Sequence, residues 1–261
     1  SDVCSSDLMT GSEKALLQYV KNQGFKKIVY LINSSEIFEL GALAEDEAVD
    51  AILWIGRPGQ VGCASAAGIL SGRINPSGKT VDTWYRDFTA DPIWQNSINN
   101  AQVNASVTYV VEGQTAADNN EQAGIGGSSN AYHGVDYEEG IYVGYRWTDK
   151  QKLKPAFAFG HGLSYTSFKV SGLKAASKET ADGNMTFTVD VTNTGSVEGS
   201  DVVQLYITDQ KCSVDRPAKE LKAFQKVSLK PGETKTVTLR TDRRALSFWD
   251  EQAGDWKAEP G

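Results

Sequence analysis

Two adjacent glutamates, Glu138 and Glu139, stand just before Gly140 and are the first residues to consider for acid–base work. Hydrolysis of a glycosidic bond with retention needs two carboxyl groups about 5–5.5 Å apart, one as nucleophile and one as acid/base. Neighbours on a strand point to opposite faces, so the tandem pair cannot supply both roles. Structural support is the reading this geometry favours; direct catalysis by one of them, with a facing partner, is the alternative. His133 and His161 are the two histidines, too far apart for a local His-x-x-x-His metal site. His133 follows a long polar stretch, whereas His161, in Phe159-Gly160-His161-Gly162-Leu163, reads as a packing residue. Cys4, Cys63 and Cys212 have neither disulfide-framework nor metal-ligand spacing. Gly56 to Gly62 follows a strand and opens a helix, as dinucleotide sites do. It lacks Gly-x-Gly-x-x-Gly, however, and Pro58 removes an amide that could face phosphate. No Gly-x-Ser-x-Gly elbow is present.

The elements around these residues divide the chain in two. The 261 residues suffice for about two domains. In the first part, Thr10-Gly11-Ser12-Glu13 offers a capping box for a helix with Leu16, Leu17 and Val20, closed at Gly24. Lys27 to Ile32 and Ala51 to Ile55 are apolar runs that predict strands buried on both faces. Helices are expected over Ile37–Ala44, capped from Ser34 or Ser35, and over Gly59–Leu70. Val81–Trp84 predicts a further strand. This alternation predicts parallel βαβ units in a layered α/β domain. The pattern fades over 86–136, a long loop with a possible short strand at Val107–Val111.

After Tyr165 the period becomes two. Phe187, Val189 and Val191, then Val203, Leu205 and Ile207, then Val227 with Leu229, then Val237 with Leu239, alternate with polar residues. Asn193-Thr194-Gly195 and Lys230-Pro231-Gly232-Glu233 are turn signals between them, and the whole predicts an antiparallel β-sandwich.

A net charge of -7 and a pI near 5.0 argue against a nucleic-acid binder, which would need a basic patch. No run reaches the roughly 18 apolar residues of a membrane helix. Residues 1–9 lack the form of a signal peptide and read as an artefact of assembly or a cut edge. Periplasmic, secreted and cytoplasmic placements all stay open.

Asn75-Pro76-Ser77-Gly78-Lys79, Tyr137 to Arg146 (Tyr-Glu-Glu-Gly-Ile-Tyr-Val-Gly-Tyr-Arg) and Phe157 to Tyr165 occur in an order that resembles the C-terminal half of family 3 glycoside hydrolases, the β-glucosidases and β-xylosidases. Downstream, Val202 to Tyr206, Arg216-Pro217, Lys219-Glu220-Leu221 and Leu246 to Trp249 resemble that family's fibronectin type III-like module. The resemblance implies a three-layer α/β sandwich over 10–165 and an immunoglobulin-like β-sandwich over 166–261, short of its last strand. It also implies a preceding (β/α)8 barrel as partner domain, a small carbohydrate substrate, and no metal or organic cofactor. The nucleophile and acid/base are expected upstream of residue 1, so no catalytic residue is carried over and the chain alone is expected to be inactive. An alternative is a non-catalytic carbohydrate-binding module on the same scaffold, with Trp84, Trp94 and Trp147 as stacking faces. His133 and Trp94 are the weak substrate-contact candidates.

Overall fold

The computed structural model describes residues 9–37, 39–92, 139–176 and 183–259. The first helix, α1 (Gly11–Lys21), starts where its sequence dictates: Glu13 N donates to the Thr10 hydroxyl at 3.2 Å, and Thr10 N donates back to the Glu13 carboxylate at 2.8 Å. This reciprocal cap satisfies two of the four amides a helix start leaves without partners. Leu17 packs toward the core, but Leu16 and Tyr19 on the same helix stay exposed.

Strand β1 (Val29–Ile32) pairs in parallel with β2 (Ala51–Trp54), Val29 opposite Ala51 and Ile32 opposite Trp54. Their sheet is buried on one face rather than two. Tyr30, Ile32, Ile52 and Trp54 turn to a core with Leu40, Leu43 and Trp84, while Val29 and Leu31 are exposed. Strand alternation explains the split, because among the described residues only one face carries a covering layer.

The expected helix over 37–44 shrinks to one turn, α2 (Gly41–Ala44). Ser34 accepts from Glu36 N in a local turn instead of capping it, and the short helix is held by burial of Leu40 and Leu43. Helix α3 (Cys63–Leu70) begins four residues later than its Gly-rich approach suggested, with Gly62 N bonded back to Pro58 O. A methyl at Gly62 would lie 2.2 Å from that carbonyl, so the turn admits only glycine. Val81–Trp84 forms no strand: Val81 is exposed, and only Trp84 finds a pairing, an isolated antiparallel bridge to Phe157. The Trp84 ring is buried and meets Trp54 edge-on at 5.2 Å.

Helix α4 (Tyr145–Gln151) leads by way of Phe157–Tyr165 into the sandwich. Its strands are β3 (Phe168–Ala175), β4 (Met185–Asn193), β5 (Gly199–Ile207), β6 (Glu220–Leu229) and β7 (Thr234–Thr241). One sheet runs β3-β4-β7 and the other β5-β6, all neighbours antiparallel. The period-two expectation holds here: Val189, Val191, Val203, Leu205, Leu229, Val237 and Leu239 form the buried core between the sheets. The two turn signals therefore link opposite sheets, since β4 and β5, like β6 and β7, lie on different layers. A two-stranded ribbon, β8 (Phe248–Asp250) with β9 (Asp255–Lys257), follows. Among the described residues no helix is long and apolar enough to cross a membrane.

Candidate functional site

The residues singled out by sequence converge on the seam between the α/β part and the sandwich. Asn75 sits at its centre. Its side-chain oxygen accepts from Ser164 Oγ at 2.9 Å and Tyr165 N at 2.8 Å, and its amide donates to Glu198 O at 3.0 Å. Ser77 receives the Lys226 ammonium at 2.8 Å. Lys79 donates to Gly162 O at 2.6 Å and pairs with Asp201 at 2.8 Å. A turn that reads as local punctuation is thus a three-way clasp. Replacing Asn75 with alanine should remove three bonds, two within the α/β unit and one, to Glu198 O, across the seam, at a total of about 2–3 kcal/mol for roughly 1 kcal/mol each. Calorimetry would then show a lowered transition for the α/β unit, and an unchanged transition would refute the clasp.

The α4 segment supplies the rest of the seam. Tyr145 packs edge-on against Tyr206, with ring centres 5.8 Å apart, and its hydroxyl accepts from Leu221 N at 2.8 Å. Glu220, largely buried, gathers Arg146 at 3.4 Å, Lys222 at 3.5 Å and Arg216, which also reaches Asp209. Asp149 meets Lys219 at 3.0 Å, and Lys150 meets Asp215 at 3.1 Å while lying over the Tyr142 ring. Two distant segments of the chain, one with Arg146 and the other with Arg216 and Glu220, therefore share one charge cluster. Such a network is worth most where desolvated charges compensate one another, as around the buried Arg216 guanidinium.

His161 is at the seam as a packing residue. Its ring stacks on Phe157 at 4.9 Å, and burial, followed by the nearby Lys79 charge, holds the imidazole below its ordinary range. Glu139 is buried, and among the described residues neither carboxylate oxygen has a hydrogen-bond partner. Its backbone carbonyl accepts from Tyr142 N, which sets the turn into α4. Close by, the Tyr85 phenol is pushed up by burial first, then by Asp91 and Glu139. Trp84, offered as a stacking face, is instead core. Trp147 is half-buried and donates from its indole to Ala90 O at 2.9 Å. Glu138, His133, Trp94, Cys4 and Val107–Val111 lie outside the described residues. Cys63 and Cys212 are free thiols, and no group of three or more metal-ligating acids, histidines or cysteines occurs among the described residues. The charge cluster at Glu220 was missed by sequence reasoning; the only signal was the repeated pairing of basic and acidic residues in Arg216 to Lys222.

Known proteins resemble this chain in sequence and fold. The family model described as Glycosyl hydrolase family 3 C-terminal domain matches residues 2–165, and that of the Fibronectin type III-like domain matches 201–261. Thermostable beta-glucosidase B of Acetivibrio thermocellus is 33% identical over 251 residues, covering 96% of this chain and 29% of that protein. Probable beta-glucosidase I of Aspergillus fumigatus is 50% identical over 133 residues, 49% of this chain and 16% of its own length. Among solved structures, a family 3 beta-glucosidase of Bifidobacterium adolescentis superposes with a TM-score of 0.78 at 29% identity, over 98% of this chain and 33% of that one. The beta-glucosidase DesR of Streptomyces venezuelae, solved with D-glucose, gives 0.73 at 33% identity over 97% of this chain and 28% of its own. The chain spans about a third or less of the length of each of these relatives. An α/β unit clasped to a fibronectin-like sandwich through Asn75, Lys79 and α4, matched by that model over most of its length, belongs to glycosyl hydrolase family 3.

Proposed function

We propose that this chain is the C-terminal part of a retaining β-glucosidase that removes terminal β-D-glucosyl, or β-xylosyl, residues from small carbohydrates. The observation that carries the reading is likeness along nearly the whole chain to proteins named beta-glucosidases, 33% identical over 96% of its length in one case. The α/β unit, over 10–165, forms one wall of the substrate cleft, and the sandwich, over 166–261, braces it. The nucleophile and the acid/base lie upstream of residue 1, the nucleophile on a (β/α)8 barrel and the acid/base on the preceding part of the α/β domain. Retention then proceeds by attack of one carboxylate on the anomeric carbon, protonation of the leaving oxygen by the other, and hydrolysis of the glycosyl-enzyme by water. His133 and Trp94 are the residues of this chain proposed to approach the sugar.

The test is turnover of aryl β-glucoside and aryl β-xyloside by the 261-residue chain beside a protein extended upstream through the barrel. Silence from the former with turnover by the latter is the expected result. Turnover by the 261-residue chain would overturn the assignment of both carboxylates to the part upstream of residue 1 and would direct mutagenesis to Glu138 and Glu139.

A further inference from the structure

Among the described residues His161 is the one side chain whose ordinary pKa falls between about pH 5 and 8, and it stands at the seam. Its backbone N–H donates to Thr80 Oγ1 at 3.0 Å, and its carbonyl accepts from Thr80 N at 2.8 Å. The residue is therefore fixed beside Lys79, whose ammonium holds Gly162 O at 2.6 Å and crosses the seam to Asp201 of β5 at 2.8 Å. Lys79 is the charge that acts on the ring. From the other elements around it, Asp201 is already bound to Lys79, and Lys226 of β6 is bound to Ser77 on the same turn. Gln204 of β5, against Gly160, and Tyr145 of α4, against Phe159, bring no charge at neutral pH. Neither ring nitrogen makes a hydrogen bond among the described residues. The stacked Phe157 ring attracts a cation only weakly, and burial opposes it.

We propose that His161 makes the seam acid-labile: a proton on its imidazole sets a second cation beside Lys79 and loosens the contacts that hold the two units together. Burial first, then the Lys79 charge, keeps the imidazole below its ordinary range, so the closed seam takes up the proton less readily than an open one. The seam is therefore at full strength above about pH 6.5, the ordinary histidine value, and weakens as the pH falls from there to the lowered value of the closed state. Below that value this group weakens it no further. The cores of the α/β unit and of the sandwich are separate clusters, so the seam can open while both stay folded. The device is a pH-dependent hinge between two intact units rather than a route to global unfolding.

The experiment is amide hydrogen exchange of the 261-residue chain, read by nuclear magnetic resonance at about pH 7.5 and about pH 5 and corrected for intrinsic rates. Thr80 N, Tyr165 N and Leu221 N, which bond to His161 O, Asn75 Oδ1 and the Tyr145 hydroxyl, report on the seam. Their protection is expected to fall about threefold or more at the lower pH, while the amides of β4, a strand paired on both sides, change less. His161→Phe keeps a stacking ring without a titrating group and is expected to abolish most of that fall. The imidazole signal, identified by its loss in that variant, is expected to titrate below about pH 6.5 in the native chain and to move upward in Lys79→Gln. Seam and β4 amides losing protection together, or an unchanged fall in His161→Phe, would overturn the proposal. Should that variant not fold, the native titration decides: an imidazole that titrates at or above about pH 6.5, or that is unmoved by Lys79→Gln, overturns it.

Discussion

Asn193→Ala is expected to cost the sandwich about 3–4 kcal/mol, from the loss of four hydrogen bonds worth roughly 1 kcal/mol each. The Asn193 side chain is fully buried. Its oxygen accepts from Thr166 Oγ1 at 2.6 Å and Gly195 N at 3.1 Å, and its amide donates to Val197 O at 2.8 Å and Leu229 O at 3.0 Å. Alanine removes all four and leaves the Leu229 carbonyl without this donor in a buried place. Asn193→Asp retains the acceptor but brings a carboxylate oxygen toward two carbonyls, and is expected to be no better tolerated. Urea unfolding followed by tryptophan fluorescence measures both variants. A loss under about 1 kcal/mol for alanine would mean that the four bonds are replaced by water at little cost.

Trp84→Ala should be comparably damaging to the α/β unit, at about 3–5 kcal/mol for deletion of a buried aromatic ring. The ring is 2% exposed and fills the space between Trp54 and the Leu40–Leu43 turn. Its indole N–H, however, is buried without a hydrogen-bond partner among the described residues. Trp84→Phe keeps most of the packing and removes an unsatisfied donor, so it should cost less than about 1.5 kcal/mol. The contrast between the two variants is the informative quantity. If phenylalanine were as damaging as alanine, the indole would be held by more than packing.

The sandwich was legible because alternation needs only local sequence: each of Val189, Val191, Val203, Leu205, Val237 and Leu239 falls on the face it must bury. The capping box of α1 was legible for the same reason, since Thr10 and Glu13 lie one turn apart. The α/β unit was less so. Lys27–Ile32 reads as a strand buried twice over, yet Val29 and Leu31 face outward, because a sequence run reports apolarity and not which layers cover it. Val81–Trp84 carries strand-forming residues but only Trp84 meets a partner. The role of Asn75 was hidden in a turn motif, because its partners Ser164, Tyr165 and Glu198 are far along the chain. Arg146, Arg216 and Glu220 could be recognised as family-like, while their convergence could not.

The seam also predicts an order of events in folding. Its bonds join residues such as Asn75 with Glu198, Ser77 with Lys226 and Tyr145 with Leu221, none of them near neighbours in sequence. Closing loops of that length is an entropic cost that is met only once both ends are already placed. The β4-β7 and β5-β6 pairings can form within the sandwich alone, so docking across the clasp comes after them. Energy stored in contacts made that late acts mainly on the rate of opening rather than the rate of folding. The clasp is therefore a brake on unfolding, and it sets how long the two units stay together once assembled.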